Sequence, residues 1–105
     1  MNHTNDYSHK IDILNSTYLQ HKRLIKEVEE GTRPYDYMKV RYAHNVVKHM
    51  ENVAADLSDN YRLIIEKEVF CKEKGSKWYL EFFTMQIYYR IRKKAYKTFI
   101  DNLNK

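Results

Sequence analysis

The chain has 105 residues with only two Gly and one Pro, and its formal net charge is +5. This length suits one domain with a modest core, and so few turn-forming residues leave little room for an all-β fold. No apolar run approaches the ~20 residues of a bilayer-spanning helix, so we expect no membrane association. The first ten residues include no apolar signal segment, and the single Cys71 cannot form an intrachain disulfide. We therefore expect a cytoplasmic protein.

The first predicted element is a long amphipathic helix from about Ser8 or His9 to Glu30, preceded by a flexible N-terminus over residues 1–8. Apolar and aromatic side chains recur in it at alternating steps of three and four, which places them on one face. Gly31 follows at the position of a C-terminal cap, where a positive φ is favoured. The apolar face comprises Ile11, Leu14, Tyr18, His21, Ile25 and Val28.

A second helix of similar length is predicted from about Pro34 to Leu57, with Thr32 or Arg33 as its N-cap. Two long helices joined by two or three residues favour an antiparallel hairpin, which we assign to residues 9–57. The hairpin either completes the core of the C-terminal helices or forms a homodimer through both of its helices. Its second apolar face comprises Val40, Ala43, Val47, Met50, Ala54 and Leu57.

Three further helices are predicted over residues 58–105, which makes the fold all-α: an N-terminal antiparallel helical hairpin followed by a three-helix, helix-turn-helix unit. Ser58 is the expected N-cap of the first, and Ser76 that of a short aromatic second helix. Thr84 is the expected N-cap of the last, which runs from Met85 to about Asn102. The buried face expected for this last helix comprises Ile87, Tyr88, Ile91, Ala95, Phe99 and Leu103.

The excess charge of the chain lies in its last 21 residues. Residues 85–105 hold six cations and one acid, whereas residues 1–84 hold 13 basic and 13 acidic side chains. A basic terminal helix with exposed aromatics, for which Tyr89 and Tyr96 are the candidates, is typical of a surface that binds a polyanion. The cations are Arg90, Arg92, Lys93, Lys94, Lys97 and Lys105.

The block Tyr88–Ala95, with the sequence YYRIRKKA and a capping Thr84 before it, resembles the recognition helix of the ArpU/RinA-type phage transcriptional regulators. That helix typically opens with a capping Ser or Thr and continues with Tyr-Tyr-Arg, basic residues and a small Ala. These regulators are similar to region 4 of the sigma-70 factors of bacteria, and the resemblance covers about residues 57–103. The preceding segment departs from the family pattern, since Trp78-Tyr79 and Phe82-Phe83 stand where small residues are usual.

The resemblance implies a sequence-specific, DNA-binding transcriptional regulator of phage or mobile-element origin. Its last helix would enter the major groove of double-stranded DNA. Gln86 suits bidentate contact with adenine, and Arg90 suits contact with guanine. The other residues expected at the DNA are Thr84, Met85, Tyr89 and Lys93 near the helix start, and Arg92, Lys94 and Lys97 at the phosphates.

Other functions stay open at this point. A non-enzymatic interaction module would use the basic helix to bind RNA polymerase or another nucleic-acid enzyme, and a non-specific RNA binder is a third candidate. The basic run is also typical of a solvated helix face without a ligand. Exposure of Gln86, Tyr89 and Arg90 beside a free N-terminal turn would favour DNA readout. A turn covered by Trp78, by Phe82 or by the hairpin would favour the interaction module.

No constellation of residues points to an enzyme, a cofactor or a metal. His44 and His49 are five residues apart, not the four that converge on a metal from one helix face. A lone Cys71 offers no zinc-binding set. The acidic runs that include Glu66 and Glu68 are interspersed with Lys, which is typical of solvated helix faces. We therefore expect no catalytic residue, no metal ligand and no bound cofactor.

Overall fold

Helices account for all the regular secondary structure over residues 3–105, which a computed structural model describes, with side chains from Tyr7 onward. The elements are α1 (His3–Glu29), α2 (Tyr37–Ala55), α3 (Asp59–Ile65) continued by a π-helical turn (Glu66–Phe70), a 3₁₀ turn (Trp78–Glu81) and α4 (Met85–Leu103). The predicted all-α fold is thereby confirmed. Within the described part of the chain, no helix combines the length and the apolar composition needed to cross a membrane.

α1 starts earlier than predicted, because the helix begins at His3 and not near Ser8. Most of the segment 1–8 that we expected to be flexible is therefore helical, and residues 1 and 2 lie outside the described part of the chain. The end of α1 matches the prediction. Gly31 adopts a φ of 78°, the left-handed conformation that glycine accepts after a helix without steric cost.

α2 begins immediately after Asp36, which is its N-cap in place of Thr32 or Arg33. The Asp36 carboxylate accepts the Lys39 N–H at 3.2 Å. Thr32 instead donates its hydroxyl to the Glu27 carbonyl at 3.1 Å, and Arg33 pairs with the Glu27 carboxylate at 3.0 Å. Thr32 and Arg33 therefore bond the last turns of α1. Asp36, the next side chain that suits an N-cap, begins α2.

The hairpin of α1 and α2 packs onto α3 and α4, and one core runs through all four helices. The Tyr18 hydroxyl donates to the Glu51 carboxylate at 2.6 Å and joins the two helices of the hairpin. The Tyr18 ring lies 4.5 Å from that of Phe70, which in turn lies 6.4 Å from that of Phe99 on α4. Ile11 of α1 is fully buried in the same core. The hairpin thus completes the core that the C-terminal helices need.

Two side chains of the hairpin bind the carbonyl ends of the other helices. Asn15 donates to the carbonyls of Val69 and Cys71 at 2.7 and 2.9 Å, at the end of the π turn. His49 Nε2 donates to the Leu103 carbonyl at 3.1 Å, at the end of α4. The last carbonyls of a helix have no partner within the helix, so these bonds both satisfy the backbone and hold α3 and α4 against the hairpin.

The short helix predicted between α3 and α4 is reduced to the 3₁₀ turn. Ser76, its predicted cap, closes the preceding loop instead, since its hydroxyl donates to the Glu73 carbonyl at 2.7 Å. Gly75 adopts a φ of 92° in that loop. The N–H of Phe83 bonds the Tyr79 carbonyl at 2.8 Å, which completes the turn and leads directly into α4. α3 and α4 are therefore joined by a compact aromatic segment.

Candidate nucleic-acid interface at helix α4

The N-terminal turn of α4 is open to solvent. Thr84 caps it as predicted, because its hydroxyl accepts the Ile87 N–H at 3.3 Å and its carbonyl accepts the Tyr88 N–H at 2.9 Å. The backbone N–H groups of Met85 and Gln86 have no partner within an α-helix, as for the first residues of any helix. Both side chains are exposed. Backbone donors and side chains at this end are therefore accessible to a ligand.

Four polar side chains form a line along the outer face of α4. They are spaced by four, three and four residues, so that about one falls in each turn. All four are exposed, as are Tyr89 on one side of the line and Lys94 on the other. The line spans ~16 Å at ~1.5 Å of rise per residue. We call it the α4 stripe, and its members are Gln86, Arg90, Lys93 and Lys97.

Most of the positive charge on α4 is free of ion pairs. Lys97 is the exception, because its ammonium lies 2.6 Å from the Asp101 carboxylate. This hydrogen-bonded carboxylate raises the pKa of Lys97 above its usual value. Among the side chains of residues 7–105, no carboxylate pairs with Arg90, Lys93 or Lys94. The charge of these three residues is available to an anionic ligand.

Arg92 differs from the other cations, because its side chain lies across aromatic rings on the inner side of α4. Its guanidinium carbon lies 4.8 Å from the ring centroid of Tyr89, 5.5 Å from that of Tyr96 and 5.8 Å from that of Tyr88. Its Nε is buried and has no hydrogen-bond partner among the described residues. Arg92 therefore packs on these rings through cation–π contacts, and the phosphate contact expected of it stays a prediction.

The predicted faces of α4 are wrong at two positions. Tyr96 is fully buried, not exposed, because its hydroxyl donates to a carboxylate inside the core. Ile87 was expected in the core but is 38% exposed. The neighbouring Tyr88 takes the buried position, and its ring stacks on that of Tyr79 with centroids 3.8 Å apart. The core positions predicted at Tyr88, Ala95 and Phe99 are confirmed.

A fully buried carboxylate, that of Glu68, lies behind the α4 stripe. The Trp78 indole donates to its Oε2 at 2.9 Å, and the Tyr88 hydroxyl donates to the same oxygen. The Tyr96 hydroxyl donates to Oε1. Our interpretation of Glu68 as part of a solvated face is therefore wrong. A buried carboxylate is tolerated when hydrogen-bond donors replace its water, and three donors do so here. We call these four residues the Glu68 cluster.

The Glu68 cluster keeps its tyrosines in the neutral form. Burial raises the pKa of Tyr88 and of Tyr96 well above the usual range for a phenol, and the adjacent Glu68 carboxylate raises both further. The Arg92 guanidinium acts in the opposite direction on both. Both phenols therefore stay protonated and donate to Glu68 at any physiological pH.

The Glu68 cluster positions α4 because it joins three elements. Glu68 lies in the π-helical turn that continues α3, Trp78 begins the 3₁₀ turn, and the two tyrosines belong to α4. Tyr88 and Tyr96 are eight residues apart, a little over two helical turns. Two attachment points at this spacing hold both the axial position and the rotation of α4. They consequently determine which residues of α4 face solvent.

The helical spacing of the sequence places Glu68 on a buried face. Glu68 follows Tyr61, Ile64 and Ile65 by seven, four and three residues, which places it on their face of the helix. Ile64 and Ile65 are fully buried, as that pattern predicts. Alternation with Lys67 in the sequence suggested solvation instead. Helical spacing was the better guide, because neighbours in sequence lie about 100° apart around a helix.

Four large apolar side chains near the start of α4 are exposed. Their exposed fractions are between 38 and 53%, although each is large enough to belong in a core. Trp78 is half-buried, and its ring lies 6.2 Å from that of Phe82. The residues of the α4 stripe are exposed, so Phe82 does not cover them. We call the four apolar residues the α4 collar; they are Leu80, Phe82, Met85 and Ile87.

Comparison of the chain with protein-family models, with curated proteins and with solved structures gave no match. The resemblance to the ArpU/RinA-type regulators and to sigma region 4 therefore stays a prediction that rests on the YYRIRKKA block. The functional roles proposed for individual residues rest on their positions in this chain.

Proposed function

We propose that this protein binds double-stranded DNA in a sequence-specific way and regulates transcription, with α4 as the helix that enters the major groove. The observation that carries the proposal is the α4 stripe, in which one adenine-reading and one guanine-reading side chain share an exposed line with two lysines. The stripe begins at an open helix N-terminus, where a recognition helix usually contacts base edges. A phage or mobile element is the origin that we propose for it.

The roles within the interface follow from position along the stripe. Gln86 and Arg90 lie nearest the open N-terminus and are assigned to base edges. Lys93 and Lys94 follow one turn later, have no ion pair with a described carboxylate, and are assigned to phosphates. Lys97 shares its charge with Asp101 and would contribute less. Thr84, Met85 and Tyr89 complete the surface near the helix start.

The test is binding to a pool of genomic DNA fragments across a salt series. We expect the wild type to enrich a few fragments and the variant Arg90→Ala/Lys93→Ala to lose that enrichment. Arg90→Ala alone should cost ~1–3 kcal/mol of discrimination at one base position. Weak binding that selects no fragment and falls steeply with salt would contradict sequence-specific readout and leave a purely electrostatic surface.

Two controls separate a loss of readout from a loss of charge or of fold. Lys22→Ala/Lys48→Ala removes two exposed cations from the hairpin and should retain the enrichment. Arg92→Ala should lower thermal stability, since Arg92 packs on three tyrosine rings, while the base preference of the remaining folded protein is unchanged. A selective loss of enrichment in Arg92→Ala at full helix content would contradict the assignment of Arg92 to packing.

The α4 collar favours a second candidate function, which is docking to a protein such as RNA polymerase. Exposed apolar side chains next to a functional helix are typical of a protein-binding surface. In this case purified RNA polymerase would bind the protein without DNA, and Phe82→Ser/Ile87→Ser would abolish that binding. The variant Arg90→Ala/Lys93→Ala, which should lose DNA readout, would keep it. Equal loss in both variants would not support separate surfaces for the two partners.

A further inference from the structure

A groove runs along the hairpin between α1 and α2, with a volume of about 1080 Å³. Within the described part of the chain, every residue that lines it belongs to one of these two helices. It extends from Leu19 to Glu29 on α1, which is ~15 Å at ~1.5 Å of rise per residue, and from His44 to Glu51 on α2. We call it the hairpin groove. No described helix covers it, so it is open to a partner.

The least exposed side chains of the hairpin groove are apolar. Val47 of α2 is buried, whereas Leu19 and Ile25 of α1 are only half-buried. All three adjoin the common core, and the two from α1 still present apolar surface to the groove. Two helices alone cannot enclose a core, which is why helical hairpins usually pack against further helices. Elsewhere on the hairpin α3 and α4 provide that cover, and none of the described residues provides it here.

Four cations also line the hairpin groove, and all four are exposed. Three lie on α1 and the fourth on α2, so each helix contributes positive charge to the groove. Among the side chains of residues 7–105, only Lys26 of the four has an ion pair, with Glu30 at 3.9 Å. An exposed pair of this kind contributes little, so the charge is available to a ligand. The four cations are Lys22, Arg23, Lys26 and Lys48.

The carboxylates of the hairpin groove do not balance these cations. Two carboxylates line it, those of Glu29 and Glu51, against the four cations. Glu51 already accepts the Tyr18 hydroxyl at 2.6 Å. Glu29 lies at the end of α1, on the last turn of the groove. The groove therefore has an excess of positive charge, and complementarity of charge favours an acidic ligand.

An acidic amphipathic helix fits both the apolar side chains and the cations of the hairpin groove, whereas DNA fits only the cations. The axes of two packed helices lie ~8–10 Å apart, so the groove between them is narrow. A DNA duplex, whose major groove alone is ~12 Å wide, is too broad to enter it and would leave Leu19 and Ile25 uncovered. A helix that lays its apolar face into the groove covers both, and its acidic flanks meet the cations.

We propose that the hairpin groove binds an amphipathic α-helix of a partner protein, with Asp or Glu on both flanks of its apolar face. About ten residues of that helix, or nearly three turns, match the ~15 Å of the groove. The bound helix would form a three-helix bundle with α1 and α2. The inference is independent of the proposed DNA binding, because the groove shares no residue with the α4 stripe or the α4 collar.

The test is fluorescence anisotropy of the full chain with three labelled synthetic peptides of about 15 residues, a length at which a helix is marginally stable. The first peptide carries Leu at helical spacing with Glu on both flanks. The second keeps Leu and replaces each Glu by Lys, and the third keeps Glu and replaces each Leu by Ser. We expect the first peptide to bind, more weakly as salt is added, and the other two to bind ~10-fold or more less tightly.

Charge reversal locates the binding site. Lys22→Glu/Lys48→Glu changes one cation on each helix of the groove. It should weaken binding of the Leu/Glu peptide by ~10-fold and strengthen binding of the Leu/Lys peptide, a reversal that a folding defect would not produce. The matched control Lys39→Glu/Lys72→Glu reverses two exposed lysines outside the groove and should bind as the wild type does. Far-UV circular dichroism checks that both variants retain their helix content.

A third variant separates this proposal from the proposed DNA binding. Arg90→Ala/Lys93→Ala, which should lose DNA readout, should bind the Leu/Glu peptide as the wild type does. The proposal is overturned if that variant loses the peptide, which would place it at α4, or if the Glu peptide without Leu binds equally well. It is also overturned if no peptide binds, or if a DNA duplex displaces the Leu/Glu peptide from Arg90→Ala/Lys93→Ala, which would assign the groove to nucleic acid.

Discussion

At the scale of single residues, Glu68 is the side chain on which the position of α4 depends most directly. Its carboxylate is removed from water, a transfer that costs several kcal/mol, and three donors from the 3₁₀ turn and α4 replace its hydration. Such a network adds little net stability compared with an apolar core of the same shape. The network instead makes the packing specific. All three donors are satisfied in only one arrangement of α3 and α4, so other packings of the same helices are penalised.

Replacing Glu68 tests this account. Glu68→Ala would leave two phenols and an indole without their acceptor in the core, and we expect a loss of ~3–5 kcal/mol in the free energy of unfolding. Glu68→Gln keeps an acceptor oxygen of similar shape and should lose less. Urea denaturation followed by far-UV circular dichroism measures both. A change within ~0.5 kcal/mol for Glu68→Ala, as for an ordinary surface site, would contradict the role of the cluster.

The same cluster predicts the response to alkaline pH. Because the pKa values of Tyr88 and Tyr96 are raised in the folded protein, the unfolded chain releases their protons first, near pH ~10. The stabilising contribution is therefore complete below that pH and is lost as the pH rises further, at ~1.4 kcal/mol per pH unit for each tyrosine. Unfolding free energies measured by urea denaturation from about pH 8 to 11 check the slope. Tyr96→Phe removes one of the two phenols, so the unfolding free energy of this variant should fall less steeply with pH. An unchanged slope in that variant would contradict the prediction.

At the scale of the helix, two of the three caps predicted in the C-terminal half, Thr84 and Ser58, differ in what their side chains do. Thr84 and Ser58 both have the extended backbone of an N-cap residue. The Thr84 hydroxyl accepts the Ile87 N–H, whereas Ser58 makes no capping bond with its side chain. Sequence identifies both as capping residue types, but the side-chain rotamer that makes the bond depends on the surrounding packing. Thr84 therefore contributes to the order of the N-terminal turn that the proposed interface uses.

Paired substitutions distinguish the two caps. Thr84→Ala should destabilise the protein by ~0.5–2 kcal/mol, the range measured for N-caps. Ser58→Ala should have a much smaller effect, because no capping bond is lost. Thermal denaturation of the two variants beside the wild type measures the difference. An equal loss in both would mean that the backbone conformation, and not the hydroxyl of Thr84, carries the capping contribution.

At the scale of the whole molecule, the single core predicts cooperative unfolding. Ile11 and Tyr18 of the hairpin belong to the same buried cluster as Phe99 of α4, so neither half retains its core when the other unfolds. Trp78 fluorescence, which reports on the Glu68 cluster, and far-UV circular dichroism, which reports on all helices, should give coincident urea transitions. Ile11→Ala should lower the free energy of unfolding obtained from each transition by ~2–5 kcal/mol. A fluorescence transition that does not respond to Ile11→Ala would instead indicate two independent units.

Much of the candidate interface could be predicted from the sequence, and the errors have identifiable causes. The cap at Thr84 and the exposure of Gln86, Tyr89 and Arg90 follow from local residue chemistry and helical spacing. The positive charge of Arg92 predicted a contact with the phosphates. Arg92 lies four residues from both Tyr88 and Tyr96, however, and so shares their face of the helix. Spacing therefore carried more information than residue class at this position, as it did at Glu68.

The sequence by itself determined the all-α class, the end of α1 just before Gly31 and the concentration of charge on the last helix. These features depend on contacts within a few turns of the chain, which local patterns encode. The tertiary structure alone decided that the segment 78–81 is a 3₁₀ turn, that Tyr96 is buried and that the hairpin completes the core. These outcomes depend on which groups satisfy a buried carboxylate and fill a shared interior. The partners, such as Glu68 and Tyr96, lie 28 residues apart, and no local pattern records that they meet.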